Sequence, residues 1–161
     1  MTKLFIIIVG IVIIGIFVEA LRSKEHEQQK YRYKRKDFFM SRAEHECYDA
    51  LVAAVGETYY VFPQVNLPSI IDSRVVGQNW QGAFRHISQK SVDYVLCDKT
   101  YISPKLAIEL DDSTHMRDDR KERDIEVERI LKSVGLPLLR LKNHGRFVPN
   151  ELLKEVSAIL G

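Results

Sequence analysis

The chain has 161 residues, 45% hydrophobic and 29% charged, with a formal net charge of +2. That balance excludes the disordered class and allows one folded domain plus an appendage, while so small a net charge implies no partner by itself. Cys47 and Cys97 lack metal-type spacing, and only His45 lies near Cys47, which argues against a zinc site. Nothing in the sequence requires the two to pair, so a reduced, cytosolic setting is the simpler reading.

The appendage comes first. Leu4 to Val18, LFIIIVGIVIIGIFV, carries no charged residue. Continued through Leu21, it approaches the ~17–25 residues of a bilayer-spanning helix. Residues 1–21 therefore read as a transmembrane anchor. The alternative is a cleaved signal peptide with Lys3 as its basic start, but Val18-Glu19-Ala20 makes a poor cleavage site. Arg22 to Lys36 holds seven Lys/Arg against two Glu. Positive residues stay inside, so the expectation is a single-pass protein of the inner membrane with its C-terminal domain cytoplasmic. Residues 22–38 read as a basic linker. Its end, YRYKRK over Tyr31 to Lys36, also has the cation and aromatic mixture that contacts nucleic acid, beside the simpler reading of a topology signal and tether.

Residues 39–161 read as the folded domain. Ser41 followed by Glu44 is a capping box, and Tyr48, Leu51, Val52 and Val55 recur at helical spacing up to Gly56. Tyr59 to Leu67 reads as a strand, placed at an edge or carrying a bulge by Pro63. Residues 68–90 are ambiguous: Ile70 and Ile71 suit a helical turn, and Gly77 to Gly82 reads as loop. Substrate contacts from Trp80, Arg85 or His86 would fall here. Ser91 to Cys97 and Lys105 to Leu110 read as an antiparallel hairpin with its turn over 98–104. Arg117 to Val134 is a helix with Val127, Ile130, Leu131 and Val134 on one face. Pro137 to Lys142 is a fourth strand, and Asn150 to Leu160 a closing helix. Three strands before the first crossover helix predict a mixed sheet with helices on its faces, an α/β sandwich. No Gly-rich phosphate loop is present.

The chemistry concentrates in LAIELDDSTH, Leu106 to His115, where an apolar strand ends in Glu109, Asp111 and Asp112 with His115 just beyond. A hairpin turning near residue 101 puts Asp93 opposite Glu109, and Asp111, two residues on, shares a face with Glu109. Side-by-side carboxylates repel, and a bound cation removes the penalty; oxygen ligands suit Mg²⁺ or Mn²⁺. Asp93, Glu109 and Asp111 are thus the expected metal ligands. The metal would lower the pKa of a bound water and neutralise phosphoryl charge. His115 is placed to move a proton, and Arg140 or Lys142 to bind a phosphate. The bland reading stands beside this: ELDD is also a solvated turn whose aspartates cap a helix. On the same terms Asp124 pairs with Arg140 or His115, Arg123 is a solvated charge, Glu44 is first a capping residue, and Gln64 is a strand residue facing solvent.

The run MSRAEHECYDAL, KSVDYVLCD, IELDDSTH, RDDRKERD and GLPLLRLK resembles the PD-(D/E)XK nuclease superfamily. It is most similar to a branch related to the very-short-patch-repair endonucleases, over about residues 38–143. The resemblance implies a restriction-endonuclease-like core of helix, three strands, helix and strand. It matches Asp93 to the first strand acid, Glu109 to the second and Glu44 to the helix acid. The superfamily's lysine position holds Asp111. In the repair-endonuclease branch that lysine is also missing and a histidine assists, a role His115 fits. The implied function is a membrane-anchored, metal-dependent nuclease acting on DNA or RNA, with Asp93, Glu109, Asp111, His115 and Glu44 catalytic. The alternatives are an inactive nuclease-like module that binds nucleic acid or a protein at the membrane, and a domain serving protein assembly alone.

Overall fold

Alternation in β2 (Ser91–Asp98) and β3 (Pro104–Asp111) builds the centre of the domain. The two strands are antiparallel, with Tyr94 opposite Ile108, Val95 opposite Ala107 and Leu96 opposite Leu106. The two-residue period sends Tyr94, Leu96, Leu106 and Ile108 to one apolar cluster and Val95, Cys97 and Ala107 to the other. Both faces are buried because both strands are central in a sheet ordered β1-β2-β3-β4. The flanking strands are β1 (Tyr59–Asn66), antiparallel to β2, and β4 (Leu138–Lys142), parallel to β3. The parallel step requires a crossover, supplied by α4 (Asp118–Ser133).

The computed structural model describes the backbone of residues 2–28, 31–111 and 118–161, and the side chains of these except 2–4, 6–7, 22–28 and 118–122. The chain divides into two compact units, Met1–Phe39 and Met40–Gly161. In the second, α2 (Arg42–Val55) and α5 (Pro149–Leu160) cover one face of the sheet through Cys47, Leu51, Val55, Leu152 and Val156. The other face is covered by Val127, Ile130 and Leu131 of α4. Ile87 of α3 (Trp80–Ile87) and Leu67 of a 3₁₀ turn, Leu67–Ser69, complete that cluster. This is the mixed α/β sandwich expected.

Four local expectations are corrected, the first being Val134, expected on the apolar face of α4 but exposed. Residues 77–82 are not all loop: α3 starts at Trp80 because the Asn79 side chain accepts the Gly82 N–H at 3.1 Å, an N-cap strong enough to carry a glycine inside the first turn. The buried stripe of α2 is Cys47, Leu51 and Val55, while Val52 is exposed. Gln64 is not a plain strand residue; its φ is +52°.

The first unit contains α1 (Thr2–Gln28), which continues from the apolar run into the basic segment. The large apolar side chains from Ile11 to Leu21 are all exposed. Among the described residues, no helix is long and apolar enough to cross a membrane, so the spanning helix expected over residues 1–21 is not supported.

Candidate functional site

One step beyond the Tyr94–Ile108 pair, at the end of the hairpin away from its turn, stand Asp93 and Glu109. On the other side of β2 the ladder with β1 is interrupted at the same level. Pro63 pairs with Tyr94 and Val65 with Val92, while Gln64 and Asp93 between them do not pair. Pro63 has no N–H to give the ladder, and the left-handed Gln64 interrupts it without changing the register. Asp93 turns instead to β3, where its Oδ2 accepts the Leu110 N–H at 2.7 Å.

That left-handed backbone re-aims Gln64. Its Nε2 donates to Glu44 Oε1 at 2.9 Å. The other oxygen of Glu44 takes the Ser41 N–H at 2.5 Å, the second half of the capping box. The Tyr94 hydroxyl, from the fully buried ring, donates to the Glu44 carbonyl at 2.6 Å. Glu44 is therefore fixed at the head of α2 by a cap, the Gln64 amide and a core tyrosine.

Glu109 lies opposite Arg140 across the parallel β3–β4 pair. Its Oε2 is 2.8 Å from Arg140 Nη1, and its side chain is only 15% exposed. Arg140 Nη2 donates to the Asp124 carbonyl at 3.1 Å and stands 3.6 Å from Glu128 Oε2. Strand and helix thus converge on one guanidinium.

Electrostatics bind these groups into a site. Burial pushes the Glu109 carboxyl up to about 7; Arg140 opposes that rise, and Asp124 and Asp93 add to it. Burial also raises Asp93, against the Leu110 N–H, with the charges of Glu44 and Asp124 adding to the rise and Arg123 opposing it. Four acids from α2, β2, β3 and α4 share one end of the sheet, and the two on the strands are shifted away from their charged forms.

The structure therefore brings together Asp93, Glu109 and Glu44. It adds Asp124, whose link to Arg140 runs through its carbonyl while its carboxylate repels the strand acids. Arg140 is in the site as the partner of Glu109 rather than as an uncommitted phosphate ligand. Asp111 ends β3 exposed, with the exposed Lys142 as its register partner. His115 and Asp112 lie outside the described residues. On α3, His86 Nε2 is 2.9 Å from Glu126 Oε1. The residue that sequence reasoning missed is Gln64; its one signal was the proline before it, within an otherwise regular strand.

Among the described residues, no three of the His, Cys, Asp and Glu side chains form a group that holds a metal ion as they stand. The donor chemistry nevertheless suits a hard cation, since Asp93, Glu109 and Glu44 offer only carboxylate oxygens. Arg140 is the group such a cation would displace from Glu109. The thiols offer no alternative chemistry. Cys47 and Cys97 are free and lie in different apolar clusters, and burial holds both protonated, Cys47 up to about 11.

The model of one protein family, described as a protein of unknown function (DUF2726), matches residues 36–159, and the chain belongs to that family. No curated protein and no solved structure matches the chain.

Proposed function

We propose that the chain is a metal-dependent nuclease that hydrolyses phosphodiester bonds in DNA or RNA. The observation that carries this reading is the Asp93–Glu109 pair. Two half-buried carboxylates on adjacent strands, with Glu44 and Asp124 beside them, are costly to keep and gain most from a cation. Mg²⁺ or Mn²⁺ bound there would lower the pKa of a water and neutralise charge on the phosphoryl group. Asp93 and Glu109 are its proposed ligands, with Asp111 at the strand end as a third. Gln64 and Tyr94 hold Glu44 toward Asp93. When Glu109 turns from Arg140 to a cation, the guanidinium is left without its closest acid, and a substrate phosphate suits it as a bidentate partner. His115 is the proposed proton carrier, on its position in DDSTH.

The test is cleavage by the full chain, in a neutral detergent, of mixed DNA and RNA substrates with Mg²⁺ or Mn²⁺. Activity that survives both Asp93→Ala and Glu109→Ala overturns the assignment.

A second reading has its own observation. Asp111 stands where the resemblance expects a lysine, and Arg140 already pairs with Glu109. A module that binds nucleic acid and has lost catalysis fits both, and metal-independent binding with no cleavage would favour it.

We further propose that α1 holds the domain at the inner membrane. What supports this is the uncharged Leu4–Val18 run, the exposure of its large apolar side chains from Ile11 onward, and the basic segment after it. A chain recovered in the soluble fraction after cell lysis, with α1 intact, would count against it.

A further inference from the structure

We propose that a cavity at the open edge of β4 is a phosphate cradle for the nucleic-acid strand as it leaves the acidic site. This rests on the reading of the chain as a protein that works on nucleic acid. The cavity has a volume of about 240 Å³ and is walled by β4, the loop over residues 143–148 and the start of α5. That is below the roughly 300–1,000 Å³ of a pocket for a drug-sized molecule, and fits a phosphodiester better than a free dinucleotide.

Its lining is cationic on one side. Lys142, His144 and Arg146 are exposed around it, and among the described residues none of the three forms an ion pair. The loop is shaped to present them: the Asn143 side chain accepts the Gly145 N–H at 3.0 Å, and Gly145 has a φ of +80°. That left-handed turn, open to glycine, separates His144 from Arg146. Glu151 and Glu155 line the α5 side and repel an anion there, which confines a phosphate to the side of the loop and β4.

Arg140 decides the class of ligand. It lines this cavity and also grips Glu109, so the cradle and the acid pair share a wall. A polyanion passing the carboxylates meets Arg140, then Lys142, then the loop. An isolated lipid headgroup would need no such continuity.

The test uses the full chain in neutral detergent with EDTA present, so that binding is read without catalysis. A fluorescent single-stranded oligonucleotide, as DNA and as RNA, is titrated at several salt concentrations. The Lys142→Ala/Arg146→Ala double variant is expected to bind about tenfold more weakly near 0.1 M salt, with the salt slope reduced by about 1.4, two phosphate contacts' worth. Glu155→Lys is expected to bind several-fold more tightly, an effect that misfolding cannot mimic. A parent that binds while both variants match it overturns the cradle and leaves the nuclease reading standing. A parent that cleaves with Mg²⁺ yet does not bind in EDTA does the same. A parent that neither binds nor cleaves overturns both. Vesicles of phosphatidylglycerol are the second probe. If the double variant loses vesicle binding alone, the cavity is a headgroup site and the proposal fails.

Discussion

β2 carries an aspartate at each end of its buried stretch, and the surroundings of the two differ. Asp98, at the hairpin turn, accepts the N–H groups of Tyr101 at 2.7 Å and Thr100 at 3.0 Å, with Lys105 Nζ 3.3 Å away. Those donors, the Tyr101 N–H first, hold its carboxyl below the usual range. Asp93, at the other end, has the Leu110 N–H and the charges of Glu44 and Asp124, and its carboxyl is raised, by burial first. Between them Tyr94, Val95, Leu96 and Cys97 are buried on both faces. One acid is satisfied where the chain must turn. The other is kept where its charge is least welcome, beside helices that add more negative charge. Folding alone accounts for Asp98; it does not account for Asp93, which is why the proposed function places its chemistry there.

The most severe way to break that contrast is to substitute both ends. Asp93→Asn should lower cleavage about a thousandfold or more, several kcal/mol of transition-state stabilisation. It should leave the midpoint of thermal unfolding unchanged or raised, because the amide still accepts from Leu110 and relieves repulsion. Asp98→Asn should do the reverse, with cleavage near the parent's and a lower midpoint. An Asp93→Asn chain less stable than Asp98→Asn would end the distinction. Next in size is the middle of the hairpin. Leu106 is fully buried in the cluster shared with α2 and α5. Leu106→Ala should cost about 2–5 kcal/mol in denaturant unfolding, the range for a large-to-small change in a packed core. A smaller loss would mean that the sheet is less tightly covered than its burial indicates.

The hairpin was legible in the sequence because its two signals agree. Two short apolar stretches marked the strands, and a turn centred on residue 101 placed Asp93 against Glu109 one step past the last ladder pair. Ser41 and Glu44 announced their capping box in the same way, since a cap is a contact between neighbours in sequence. What was hidden depends on contacts between distant residues. Gln64 reads as an outward strand residue until the β1–β2 ladder skips it and brings its amide to Glu44, twenty positions away. Asp124 was placed with Arg140 or His115, and only the packing of α4 beside β4 shows that its link to Arg140 runs through the carbonyl while its carboxylate faces the strand acids. Residues 77–82 read as loop because two glycines outweigh the helical signal until the Asn79 cap, which offsets the cost of Gly82, is seen.

Gln64 gives a finer version of the comparison, since strain and chemistry can be separated at one residue. A non-glycine residue in the left-handed region costs on the order of 1–3 kcal/mol and persists where the surroundings insist on it. Gln64→Gly removes that strain along with the hydrogen bond to Glu44. The two effects oppose, so its stability should lie within about 1 kcal/mol of the parent. Cleavage should nevertheless fall about tenfold, the size of one hydrogen bond lost in positioning Glu44. Gln64→Asn tolerates the same backbone but reaches less far, and should restore little. Equal cleavage by the parent and the glycine variant would make the left-handed Gln64 a feature of folding only.

The smallest effect expected is in acid, and its sign follows from Asp98. Its folded carboxyl titrates below the ordinary aspartate value of 3.8, because the Tyr101 and Thr100 N–H groups and Lys105 favour the charged form. A group depressed in this way stabilises the folded chain above the unfolded value, and that contribution disappears as the pH falls through the folded one. The parent should therefore lose more stability than Asp98→Asn between about pH 5 and pH 2. The two unfolding midpoints, well separated at pH 7, should draw together at the acid end. Asp93 cannot produce that convergence, because its shift has the opposite direction. An offset between parent and Asp98→Asn that stays constant with pH would show that the turn is stabilised by the shape of the side chain rather than by its charge.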